Sequence, residues 1–168
     1  MESKLFSLTF FVFIFSFLVS CSPGENIETS ETDAPLPVVL NYGYSPIELE
    51  TMKLINDYRI SIGLKSLVTI NFVSLKSEEH DQYMIANNVV NHDNFVARSE
   101  NIIKVLGVIK VSENVAYNYA TGQEAFDAWL KSSTHRNNIE GDFTHFGLAV
   151  RESPVNGRKY YTNIFVKY

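Results

Sequence analysis

The chain has 168 residues, with 14 basic and 19 acidic side chains, one cysteine and a formal charge of −5. A single cysteine can close no internal disulfide, which excludes a disulfide-stapled mini-protein and a zinc ribbon. Residues 46–168 hold 13 basic against 14 acidic side chains, so this part carries no electrostatic footprint for nucleic acid.

Residues 5–19 (LFSLTFFVFIFSFLV) are apolar at 12 of 15 positions and follow Lys4. A membrane-spanning helix needs about 20 apolar residues, so this run is short for one and suits the core of a signal peptide. Residues 1–20 are therefore expected to be a leader. Leu18-Val19-Ser20-Cys21 resembles the lipobox of bacterial lipoproteins, in which the cysteine becomes the lipid-carrying first residue. Small Ser20 would admit a peptidase, and acyl chains on Cys21 would hold the protein on a bilayer at about 0.8 kcal/mol per buried CH₂. The competing reading is an ordinary or uncleaved leader with an incidental cysteine. The lipid reading places the protein outside the cytoplasm, anchored to a bacterial membrane through Cys21.

Residues 21–45 read as a lipidated cysteine followed by a tether. Residues 22–45 contain three prolines, two glycines, four acids (Glu25, Glu28, Glu31, Asp33) and no Lys or Arg. Such a composition builds no core, and proline and like charge extend it. Residues 46–168 are the expected domain.

Ser45-Pro46-Ile47-Glu48 predicts a helix start, with Ser as cap, Pro in the first turn and Glu three residues after the cap. This helix carries Leu49, Met52, Ile55 and Ile62 near one face and stops at Gly63. A second helix is predicted from residue 71 to about 90, and Ser99 is expected to cap a short third helix ended by Gly107. Thr121-Gly122-Gln123-Glu124 is another capping box, opening a helix with Ala125, Ala128 and Trp129 inward. Residues 143–151 and 159–167 alternate as strands, with Asn156-Gly157 as a hairpin signal, and 111–117 is a third strand. The fold class is α+β, a layered sandwich.

Four segments resemble a known family. Asn91-His92-Asp93-Asn94-Phe95, after a helix with His80 and Met84, is similar to the SHDGF block of bacterial CAP-domain proteins. Ser112-Glu113-Asn114-Val115-Ala116-Tyr117 is similar to GENIAYG. Trp129 followed by His135-Arg136-Asn137-Asn138-Ile139 resembles the W…SPGHRxNIL block, and Tyr160-Tyr161-Thr162-Asn163-Ile164-Phe165 the closing YWTQVF strand. CAP denotes the cysteine-rich secretory, antigen five and pathogenesis-related superfamily, also called SCP. The resemblance implies an α-β-α sandwich around a small antiparallel sheet, with a cleft lined by His92, His135 and Glu113. A second glutamate of eukaryotic members is replaced here by Ser132. Ser112 stands for the usual glycine, and Ser133-Thr134 for the usual Pro-Gly.

Two imidazoles and a carboxylate form a sound open zinc set, so His92, His135 and Glu113 are the expected ligands of a possible Zn²⁺. Without metal, Glu113 would orient one imidazole. The plainer reading gives these residues only structural roles. His80 is expected to be packed and no ligand, His145 is assigned no chemistry, and Glu100 is a decoy beside its cap. Trp129 is expected in the core, and no nucleophile elbow supports Ser132 or Ser133. No catalytic residue is assigned. The leading function is binding of a lipid, glycan or protein in the cell envelope through the His92–Glu113–His135 cleft. The alternative is metal-assisted hydrolysis, protease-like, in the same cleft.

Overall fold

A computed structural model describes residues 41–168, so the apolar leader, Cys21 and the tether up to residue 40 lie outside the described residues. Five helices and four strands follow in the order α1 (Pro46–Ser61), β1 (Val68–Thr69), α2 (Asn71–Asn87), α3 (Phe95–Leu106), β2 (Lys110–Tyr117), α4 (Gly122–Lys131), α5 (Ser133–Ile139), β3 (His145–Glu152) and β4 (Lys159–Lys167). The strands form one sheet in the order β1-β3-β4-β2. Strand β4 is antiparallel to both its neighbours, while β1 runs parallel to β3 through only two residue pairs. Side chains alternate across the pleat, so each strand feeds two helical layers. Phe146, Leu148, Tyr161 and Phe165 pack with Met52, Ile55, Phe126 and Trp129 of α1 and α4. On the opposite face Ile164 and Val166 pack with Phe72, Val73 and Ile102 of α2 and α3. The result is an α-β-α sandwich.

Helix α1 starts as its sequence dictates, with Glu48 accepting from the Ser45 backbone N–H at 2.7 Å and Ser45 capping Glu48 N. Its buried stripe differs from expectation. Leu49 and Ile62 are exposed, and Glu48, Thr51 and Arg59 are buried beside Met52 and Ile55. The polar residues go inside because each finds partners there. Glu48 Oε1 accepts from Val150 N at 2.9 Å and from Arg151 Nη1 at 2.7 Å, sealing the edge of β3. Arg59 donates to the carbonyls of Lys65, Gly141 and Phe143, tying α1 to the turn before β3. The end of the tether segment also joins the fold, since the Tyr42 hydroxyl contacts both Glu48 and Arg151, and Tyr44 bonds Asn71 and Ser74.

One further expectation is corrected, and two elements are filled in. Helix α3 begins at Phe95 after a left-handed Asn94, so Ser99 lies inside it and bonds back to the Val96 carbonyl instead of capping. Residues 133–139, for which the sequence alone predicts no element, form the short helix α5. Strands β3 and β4 form the hairpin that Asn156-Gly157 signals. The β3–β4 ladder ends at Glu152↔Lys159, and residues 153–158 form a six-residue loop with Gly157 at φ +68°.

Gly147 sets the distance between α2 and the sheet. A methyl group there would come within 2.3 Å of Ser74 N and 2.5 Å of the Val73 carbonyl carbon, which are backbone and cannot step aside. Gly147→Ala is therefore expected to push α2 off β3 and cost about 1–3 kcal/mol, as overpacking does. A thermal melt checks this, and an unchanged midpoint would contradict the close approach.

Candidate functional site

Strand β2 is one edge of the sheet, and the candidate site is built along it. Ser112 and Asn114 face α5, and Glu113 faces Arg98 of α3 and His80 of α2. The carbonyls of Glu113 and Val115 point off the edge, where Asn138 Nδ2 reaches the first at 3.3 Å and Trp129 Nε1 the second at 3.0 Å. Asn138 also donates to Asn114 Oδ1 and accepts from the Ser112 hydroxyl, and Asn114 Nδ2 donates to the His135 carbonyl. This ladder of amides holds α5 against the strand. It gives the Arg136-Asn137-Asn138 run its structural purpose: Asn138 does the pinning, and Arg136 Nε bonds the Leu130 carbonyl at the end of α4.

Glu113 is the centre of charge. Its side chain is only 1% exposed, and Arg98 of α3 grips it with Nε and Nη2 at 2.8 and 2.9 Å. His92 Nδ1 lies 2.9 Å from Oε1, and its side chain is half exposed. A carboxylate in this grip accepts only, so His92 must carry its proton on Nδ1 and present Nε2 outward. Arg98 Nη1 also donates to the Asp93 carbonyl, fixing the loop that carries His92. Behind them His80 is fully buried, with Nε2 at 2.9 Å from the Asn91 carbonyl and 3.8 Å from Glu113 Oε1. Burial pushes the His80 pKa down in spite of the nearby Glu113.

His135 stands beside this cluster on the other flank of the edge. Burial, and then the proximity of His92, push its pKa down. Two shallow lobes adjoin at Thr134-His135. One, of about 260 Å³, is lined by His92, Phe95, Ser112, Glu113, Thr134 and Asn138. The other, of about 350 Å³, is lined by Val115, Tyr117, Tyr119, Trp129, Ser132 and His135 among others. The structure thus brings His92 and Glu113 into direct contact, and puts His135 with Ser132 in the neighbouring lobe.

One residue of the cluster went unassigned in the sequence. Arg98 sits 15 positions from its carboxylate partner and carries no local pattern. His80 is packed, as expected, but it belongs to the site and does not stand apart from it, 3.8 Å from Glu113. It shares a helical face with Ser77, Asp81 and Met84, all buried, and a polar stripe on a core-facing helix signals partners inside. Glu100 is exposed on α3, and His145 on β3 bonds Thr144 Oγ1, two strands over from Glu113. The zinc set of His92, Glu113 and His135 does not fit. The guanidinium on Glu113 would repel a divalent cation, and both carboxylate oxygens already accept from Arg98 or His92. Among the described residues no three His, Cys, Asp or Glu side chains are grouped to hold a metal.

A carboxylate this deep needs its cation. Arg98→Met should cost about 3–5 kcal/mol by leaving Glu113 charged and unpaired, while Arg98→Met with Glu113→Gln should recover much of that loss. Urea denaturation of the four species measures the coupling. Additive losses would show that the pair does not hold the site.

Comparison with known proteins bears on the family and the fold. Residues 52–166 match the sequence profile of the Cysteine-rich secretory protein family, CAP. The chain is 31% identical over 127 residues to the membrane protein YlbC of Bacillus subtilis, covering 71% of this chain and 34% of that protein. It thus spans about a third of the relative's length. Among solved structures, an extracellular protein with an SCP domain from Bacillus anthracis is 26% identical at TM-score 0.61, covering 76% of this chain and 45% of the other. An outer surface protein of Borrelia burgdorferi superposes at TM-score 0.63 with 18% identity, over 75% of this chain and 98% of that one. The second of these speaks to the fold alone.

Proposed function

We propose that this chain, which belongs to the Cysteine-rich secretory protein (CAP) family, is an extracytoplasmic binding protein held to a membrane by a lipid on Cys21. It captures its ligand in the two-lobed cleft along β2 and does not turn it over. The observation that carries this reading is the state of Glu113. A general base must have an oxygen open to the proton that it takes. Here the carboxylate is buried, doubly bound to Arg98 and bonded to His92, so its work is to hold the imidazole. What faces the ligand is an outward His92 Nε2, the Thr134 and Ser132 hydroxyls, and the aromatic wall of Tyr117 and Tyr119. Such a surface suits an uncharged ligand with an apolar part and a hydrogen-bonding end, a description that fits a glycan or a lipid headgroup region.

The location is supported by the leader and by Cys21 at its end. The relatives agree in kind, one being a membrane protein and another extracellular. Among the described residues no helix is long and apolar enough to cross a membrane, so attachment would fall to the segment before residue 41.

The experiment uses the full chain on arrays of neutral glycans and lipids, comparing wild type with Tyr119→Ala, His92→Ala and Cys21→Ser. Binding should fall at least about tenfold in the two cleft variants, roughly the worth of one good contact. Cys21→Ser should bind as wild type but lose lipid labelling and membrane retention. Cleft variants that bind as wild type would remove the cleft from the function, and membrane retention unchanged in Cys21→Ser would remove the anchor.

A further inference from the structure

Arg59 is the one buried Lys or Arg among the described residues, 2% exposed, and it has no counter-ion. The less deeply placed Arg98 meets Glu113, and Arg151 meets Glu48 and Glu78. Arg59 meets only carbonyls. Its Nε donates to Lys65 O, Nη1 to Ile139 O and Gly141 O, and Nη2 to Phe143 O. Four of its five N–H groups are thus spent. Carbonyls satisfy hydrogen bonds but do not supply the opposite charge that buried ions ordinarily have. Burial pushes the Arg59 pKa down, and the proximity of Asp142 offsets this only in part.

The same guanidinium belongs to the wall of a cavity of about 660 Å³, larger than either lobe of the cleft. The cavity lies between residues 64–68 and 140–145, on the β1–β3 side of the sheet and away from β2. It is open without any rearrangement, since Lys65, Ser66 and Val68 on its rim are exposed. Lys65 is a second cation with no acid partner among the described residues. Both acids of the wall are already engaged. Glu140 accepts from the Tyr58 hydroxyl at 2.6 Å, and Asp142 is paired with Lys167. That bond to Lys167, helped by the nearby Lys110 and Arg59, holds the Asp142 carboxyl below its usual range. Burial pushes the His145 pKa down, so this wall histidine adds no charge near neutral pH. The charge left unmatched is positive.

The rest of the wall sets the body of the ligand. Leu64, Val68 and Phe143 give the cavity an apolar side, where Val68 is 58% exposed. The volume lies within the roughly 300–1,000 Å³ of small-molecule sites. A bare anion would leave the apolar side uncovered, and a dianion would be repelled by Glu140 and Asp142. One negative charge on a compact apolar body meets both conditions. We infer that this cavity binds a small monocarboxylate with an apolar body of amino-acid size. Its carboxylate lies between Lys65 and Arg59, and its body lies against Leu64, Val68 and Phe143. The carboxyl terminus of a peptide ending in an apolar residue and a free arylalkanoic acid share this chemistry. The site rests neither on the cleft nor on the lipid anchor.

The test titrates the full chain, labelled with ¹⁵N at arginine, with N-acetylphenylalanine, its neutral amide and acetate. N-acetylphenylalanine should move the Arg59 Nε–H resonance saturably, and the amide and acetate should each bind at least about tenfold more weakly. Lys65→Gln and Val68→Asp, both at exposed positions, should melt as wild type and weaken binding about tenfold. These two variants leave the Arg59 bonds intact, so a loss of binding is not a loss of fold. 3-Phenylpropanoate separates the two sources, and the site stands with either result: equal affinity assigns it to free acids, and affinity about tenfold weaker to peptide termini. No saturable response at Arg59, equal binding of the amide, or wild-type affinity in both rim variants would each overturn the site. So would loss of the response on Tyr119→Ala, which would put the acid in the cleft.

Discussion

The grip of Arg98 on Glu113 is the contact on which the candidate site depends. It supplies a partner to a carboxylate with 1% of its side chain exposed, where burying a lone charge would cost several kcal/mol. The pair also spans elements: Glu113 lies on the edge strand β2, Arg98 on α3, and the same guanidinium holds the Asp93 carbonyl in the loop of His92. One interaction therefore fixes the strand, the helix and the histidine loop together. His80 completes the arrangement from α2 by holding the Asn91 carbonyl.

This neutralised centre also decides what the cleft can do. An unpaired glutamate between two histidines would be a base or a metal ligand. Paired with Arg98, it becomes a fixed acceptor that orients His92. On the proposed reading, the cleft offers a ligand hydroxyls, imidazole groups and tyrosine rings. The amide ladder of Asn114 and Asn138 gives the opposite flank the same rigidity without charge.

Local signals in the sequence were reliable where the physics is local. The capping boxes at Ser45 and Thr121 open α1 and α4 as their spacing requires, and alternation marks β3 and β4. His92 and Glu113 were legible together because two short motifs carry them. Arg98 was not, since an ion pair across 15 residues leaves no periodicity. The buried stripe of α1 was misjudged for a related reason: Glu48 and Arg59 enter the interior only because Val150, Arg151 and the 141–143 turn supply partners far along the chain. Helix α5 was hidden because Ser133 to Asn138 contains no apolar residue to show a helical period. The two-residue β1 is too short to carry alternation at all.

The most direct measurement of this account is the tautomer of neutral His92, read from long-range ¹H–¹⁵N correlations at alkaline pH. Glu113 held by Arg98 can only accept, so the proton should reside on Nδ1 with Nε2 bare toward the cleft. A proton found on Nε2 would mean that His92 does not donate to Glu113, and the centre of the site would be wrongly drawn.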